Sequence, residues 1–353
     1  MTLADAAGRD EFAAALHDML AGAGVPAAAR RWADGDRAPG LAVWRALAAQ
    51  GVTALAVAER HGGLGASLAD VVVACEELGH HAVPGPVAES VAAVPVLIAA
   101  LDDAALDDAA LDARWLPALA AGDLIATLAA PPALPFAADA EAAGLVLLAD
   151  CDGEAGAVWL AEPGAARRSV DRARSLSPAT GTQVLARGPA AAAAVARALD
   201  AGALACAAQL LGAGRALLEA SVRHARQRLQ FGRPVGAFQA VKHQLADVAI
   251  GLEFARPLLA EAARTLADGG CHAARDTSAA KVACTDAARR AARTALQVHG
   301  AIGYTEEHDL HLWLTKVRAL AGSWGSQSQH RARVLAAIAA AGQAPADGRP
   351  MWT

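Results

Sequence analysis

The sequence predicts a chain in three parts: a helical domain, a small β domain, and a second helical domain that closes as a four-helix bundle. Three observations carry this. Apolar residues recur at helical spacing over residues 10–120 and again from 190 onward. Over 121–190, prolines and glycines cluster around short apolar runs, the pattern of strands bounded by turns. The 353 residues are 55% hydrophobic but only 4% aromatic, and much of the apolar share is alanine, the strongest helix former. That composition supports a substantial core, opposes an all-β sandwich and excludes a disordered chain. The expected division is 1–120 helical, 121–190 β, 191–342 helical bundle, and 343–353 a loose tail.

The elements follow in order. Phe12, Leu16 and Met19–Leu20 mark a first helix. Leu41, Trp44, Leu47 and Ala48 mark a second at about 39–50. Ser67 caps a third that runs to Leu78, with Asp70 in its first turn and Gly79 as its stop. A further helix follows Pro86, through Val91, Val94 and Ile98 to Leu101. The Asp-rich segment around 102–113 reads as exposed loop. Strands are expected at Leu124–Leu128, Gly144–Ala149, Ala157–Leu160 and Thr182–Leu185. Long helices follow at about 190–228, 237–268 and 276–299, with shorter ones at 307–319 and 327–341; short connections between long antiparallel helices predict the bundle.

Lys+Arg is 31 and Asp+Glu is 36, a formal charge of −5, which disfavours sequence-independent nucleic-acid binding. The five cysteines are scattered without a C-x-x-C pair, as in a reduced cytoplasmic protein without a disulfide framework or zinc site. Neither a signal peptide nor a membrane span is read.

Two segments are more specific than composition. One is Arg226-Gln227-Arg228-Leu229-Gln230-Phe231-Gly232-Arg233-Pro234-Val235-Gly236-Ala237-Phe238-Gln239; the other is Gln297-Val298-His299-Gly300-Ala301-Ile302-Gly303-Tyr304-Thr305-Glu306-Glu307. Read from the residues alone, each is a helix end. Arginine at such an exit can hold a phosphate, and glycine lets a ligand approach the backbone; a capped, solvated helix end is the plainer alternative.

Together the segments resemble the acyl-CoA dehydrogenase family, whose pattern is R-x-x-F-G-x-x-(I/V)-x-x-x-Q and then Q-x-x-G-G-x-G-(F/Y)-x-x-E. Glu59-Arg60-His61-Gly62-Gly63-Leu64-Gly65, followed by Glu76-Glu77-Leu78-Gly79, is similar to the family's P-E-x-x-G-G-x-G turn, with Ala58 in place of proline. The resemblance implies the acyl-CoA dehydrogenase fold: N-terminal α-helical domain, small middle β-barrel domain, C-terminal four-helix bundle. It implies FAD as cofactor, an acyl-CoA thioester as substrate and electron-transfer flavoprotein as acceptor. It also implies that Arg228, Phe231, Gln239, Gln297, Gly300 and Ala301 bind FAD seated on a neighbouring subunit. Ala301 stands where the family has its second glycine.

The family's base is a glutamate at one of two positions. By ungapped count these are Trp324 and Gly202 here, and neither side chain accepts a proton. Asp200 is two residues away, about 200° around a helix. Ala126-Thr127-Leu128-Ala129-Ala130-Pro131-Pro132-Ala133 stands where the family has its T-E-P-x-x-G-S-D-like flavin motif, so this chain's own flavin seat reads as degenerate. The stretch Gly303–Leu312 resembles actinobacterial members that form one half of a heterotetramer acting on steroid side-chain CoA esters. The expectation is a base-lacking subunit paired with a related chain that supplies the base. The alternatives are a homo-oligomeric enzyme using a relocated carboxylate such as Asp200 or Glu307, a flavin monooxygenase of the same fold, and a purely structural partner. No metal ligands are expected: His299, His308 and His311 read as packing or solvated histidines, Cys206 and Cys284 as core, Arg289, Arg290 and Arg293 as a solvated face, and Trp324 as the plug of a dead site.

Overall fold

The computed structural model describes residues 6–103, 111–150 and 156–342. The first part is helical: α1 (Ala6–Gly22), α2 (Val25–Ala33), α3 (Ala38–Ala49), α4 (Leu68–His80), a π turn over Glu89–Ala93, α5 (Val94–Asp103) and α6 (Leu111–Ala121). The expected apolar stripe of α1 is buried at Phe12, Leu16 and Leu20. Ser67 and Asp70 close a reciprocal capping box on α4, which satisfies orphan amides of its first turn. Gly79 does not stop α4, as the sequence suggested; the helix runs on to His80. Gly79 is there for closeness: a Cβ on it would sit 2.1 Å from the Gln209 carbonyl oxygen. α2 and α6 were not expected. The start of α6 falls in the segment read as loop, and the rest of that segment lies largely outside the described residues.

The middle part holds β1 (Ala126–Ala129), β2 (Ala137–Ala138), β3 (Leu145–Asp150), β4 (Ala157–Pro163), β5 (Arg167–Arg168), β6 (Ser175–Ser177) and β7 (Ala179–Arg187). They form a sheet of order β1-β3-β4-β7 and a smaller one of order β2-β6-β5. β1 runs parallel to β3, and β3-β4-β7 is an antiparallel meander. A small cluster of Ala129, Ala137, Ala140, Val146 and Ala161 joins the sheets, and the Thr127 hydroxyl donates to the Ala138 carbonyl at 2.7 Å.

The last part is the expected bundle: α7 (Pro189–Gln227), a two-residue-stranded hairpin of β8 (Leu229–Gln230) and β9 (Arg233–Pro234), α8 (Gln239–Ala267), α9 (Ala273–His299), α10 (Leu310–Leu320) and α11 (Gln327–Gly342). By length and hydropathy, the 39 residues of α7 would suffice to cross a membrane. Within the fold its apolarity is explained by position, since Ala201–Ala213 are buried between α4, α8 and α9. Arg215 on α7 clamps these elements. Its guanidinium donates to Glu76 (3.0 Å) and Glu77 (2.5 Å) of α4, and Arg256 of α8 reaches the same Glu76 at 3.0 Å. Cys206 and Cys284 are fully buried packing residues, and burial pushes the Cys284 thiol up to about 12.

Candidate functional site

The six predicted binding residues gather at one end of the bundle. α7 ends at Gln227, with Arg228 as its cap. The chain reverses through β8 and β9, and α8 begins at Gln239. α9 returns to the same end, with Gln297 in its last turn and Gly300 and Ala301 in the turn that follows. His224 of α7 lies against His299 of α9 with ring centroids 4.4 Å apart and the rings tilted, and His299 meets His308 edge-on at 5.2 Å. These contacts tie the two motif segments together.

The hairpin fixes Phe231. The pairs Leu229–Pro234 and Gln230–Arg233 leave Phe231 and Gly232 as a two-residue loop. Both have positive φ, 51° and 74°, as the right-handed twist of such a hairpin demands. Glycine adopts this freely; a phenylalanine held there carries strain of a kind found at functional sites. Its ring is 91% exposed and meets the Phe238 ring edge-on at 6.1 Å, while the Arg233 guanidinium lies 4.3 Å over Phe238. Arg228, Gln239, Gln297, Gly300 and Ala301 are exposed as well. The side chains of Arg228, Gln239 and Gln297 make no hydrogen bond or ion pair with the described residues of the chain. A cation, an aromatic face, two amides and a glycine turn therefore face outward together. That donor set suits the pyrophosphate and ring system of a dinucleotide.

A second place lies far along α7. The two positions where the resemblance puts a base, Trp324 and Gly202, are in contact. A Cβ on Gly202 would sit 2.1 Å from a carbon of the Trp324 ring. Trp324 is 3% exposed, with φ of 60°. His330 donates from Nε2 to its carbonyl at 2.8 Å and accepts from the Ser278 hydroxyl at Nδ1, 3.1 Å away. Burial holds the His330 imidazole below its ordinary range, so it stays neutral in this role. Ser323 accepts from Arg174 at 2.5 Å, and the Gly325 amide bonds Ala133 at 3.2 Å. The 130–134 turn, where the resemblance puts a flavin motif, thus packs on the turn that carries the indole. Asp200 does not face this spot as a free base: Arg333 of α11 holds it with two hydrogen bonds, one of 2.9 Å. Glu307 is exposed in the loop at the Arg228 end.

The two places are separated. Gly202 and Arg228 are 26 residues apart on one helix, about 39 Å at 1.5 Å per residue, farther than an extended dinucleotide reaches. The sequence did not anticipate the contact between Trp324 and Gly202, because nothing local links residues 122 positions apart. It also passed over a cluster of His17, His80 and His81.

Comparison with known proteins gives the context. Residues 8–123 match the acyl-CoA dehydrogenase N-terminal domain and 192–339 the C-terminal domain, on either side of the two sheets. The acyl-CoA dehydrogenase IpdE2 of Mycobacterium tuberculosis is 33% identical over 302 residues, covering 84% of this chain and 86% of that protein. FadE34 of the same organism is 32% identical over 337 residues, 89% of this chain but 45% of its own length. Among solved structures, a variant of the steroid ACAD Tcur3481-Tcur3483 superposes with a TM-score of 0.81 at 23% identity, over 95% of this chain and 99% of that one. The ChsE4-ChsE5 complex of Mycobacterium tuberculosis gives 0.79 at 22%, over 98% and 100%.

Proposed function

Since the chain belongs to the acyl-CoA dehydrogenase family, an oxidoreductase family that uses FAD, we propose that it is the base-lacking subunit of a heteromeric enzyme. In this reading it grips FAD held on a related chain, and that chain supplies the carboxylate base. The observation that carries the reading is the separation on α7. The dinucleotide grip is outward-facing and free of partners at one end, and an indole fills the base position at the other.

Arg228 would neutralise the pyrophosphate, Phe231 would lie against the dinucleotide, and Gln239, Gln297 and the Gly300–Ala301 amides would satisfy its polar edges. When bound, FAD takes up the hydride that leaves the acyl β-carbon. The α-proton has no acceptor at Trp324 or Gly202, so its removal falls to the partner chain. The structural likeness to a steroid ACAD supports a steroid side-chain CoA ester as substrate, and electron-transfer flavoprotein fits as the acceptor. Asp200 finds no support as a relocated base, because Arg333 occupies it.

The test is to isolate the complex through a tag on this chain, then measure FAD and acyl-CoA oxidation for the complex and for the lone chain. Arg228→Ala should lower FAD affinity of the complex by roughly 10–150-fold, the equivalent of about 1.5–3 kcal/mol for a bond to a charged group. Full FAD loading and turnover by the lone chain would overturn the proposal.

A further inference from the structure

A cluster of imidazoles lies away from both places just described. His17 on α1, and His80 and His81 at the end of α4, present three rings whose centroids are 4.6–5.0 Å apart. His81 Nε2 is 3.2 Å from His17 Nδ1, and His17 Nδ1 is 2.9 Å from Glu77 Oε2. Metal bonds of about 2.0–2.1 Å in a tetrahedral site place donor atoms about 3.3 Å apart. His17 Nδ1 thus stands at about that separation from both His81 Nε2 and Glu77 Oε2, and the ligand nitrogens of His17, His80 and His81 all lie within 4.8 Å of one another.

Hydrogen bonding alone does not settle the cluster. A proton on His17 Nδ1 faces two acceptors, the Glu77 carboxylate and His81 Nε2. If His81 carries the proton instead, the His17 lone pair faces the carboxylate. Either tautomer leaves one contact without a proton, whereas a divalent cation among the three atoms would satisfy all of them. Glu77 keeps Oε1 for Arg215, which anchors the carboxylate from its far side. The His80 ring is oriented differently: Arg215 Nε donates to its Nδ1 at 3.1 Å, and its Nε2 faces Glu219 at 3.5 Å. His80 therefore forms the wall, not the primary ligand set. Beside His17, His80 and His81 opens a cavity of about 410 Å³, lined also by Glu219, Arg223, His308 and Trp313.

We propose that His17, His81 and Glu77 form a binding site for a divalent transition metal of the zinc class, clipping α1 to the end of α4. His17 and His81 both line the cavity, from which water would complete the shell. Two imidazoles and one carboxylate with an open position are a ligand set that zinc accepts. Nothing in the proposal depends on the flavin reading.

The experiment is calorimetric titration of chelator-treated full-length chain with Zn²⁺. One saturable Zn²⁺ per chain is expected. His17→Gln and His81→Gln should each weaken binding by about tenfold or more, while His272→Gln, at an exposed histidine, leaves it unchanged. Zn²⁺ should also raise the melting temperature of the wild type, and less so that of the two ligand variants, with circular dichroism showing that both remain folded. Absence of saturable binding up to about 1 mM Zn²⁺ would overturn the proposal. So would wild-type affinity in both ligand variants.

Discussion

At the scale of single residues, Gly202 and Trp324 define each other. The indole lies where any Cβ on residue 202 would have to be. Gly202→Ala should destabilise by about 1–3 kcal/mol through overpacking. Adding Trp324→Leu should recover most of the loss, a coupling that a double-mutant cycle on thermal melts would read. Arg228→Ala should change stability by no more than about 0.5 kcal/mol, because it breaks no bond in the chain; a larger drop would give Arg228 a structural role. His330 bears on the pH profile. Its folded-state proton affinity is depressed by burial, so on acidification the unfolded chain takes up the proton first. The stability it lends is complete above about pH 6.5 and drains away as the pH falls below that. His330→Gln should therefore show a shallower loss of melting temperature between pH 7 and pH 5 than the wild type. The motif residues were legible because they form contiguous strings. Trp324 was legible as a position on a count, but its meeting with Gly202 was not, because tertiary contact leaves no local trace.

At the scale of elements, the crossing of α4 and α7 is the closest approach that the glycines reveal. A Cβ on Gly79 would meet the Gln209 carbonyl at 2.1 Å, and one on Gly212 would meet the Glu76 carbonyl at 1.8 Å. Both obstacles are backbone, which cannot swing aside. Gly79→Ala should cost about 2–3 kcal/mol, lowering the melting temperature by several degrees. The long helices were legible from their apolar period, and the four longer strands from their punctuation. α2 has only nine residues, too few for a period to stand out, and α6 carries Pro117 inside it. β2, β5 and β6 have two or three residues each, too short for alternation to show. Gly79 misled because a stop and a close approach call for the same residue.

At the scale of the whole molecule, the three-part order was legible throughout, since each part has its own period and punctuation. What composition and periodicity could not show is which large apolar side chains stay on the surface. The Phe231 tip stands out at 91% exposure, and α8 adds a row of Ile250, Phe254 and Leu258 on its outer face. Phe231→Ser should leave the melting temperature of the lone chain within about 1 kcal/mol of wild type yet reduce recovery of the FAD-bearing complex; unchanged recovery would remove the hairpin from assembly. Under the proposed pairing, the bare aromatic tip also carries a cost in supply. Copies made in surplus would have nothing to cover those rings and would become targets for clumping and for degradation. A host using such a pair would then be held to balanced synthesis of its two halves.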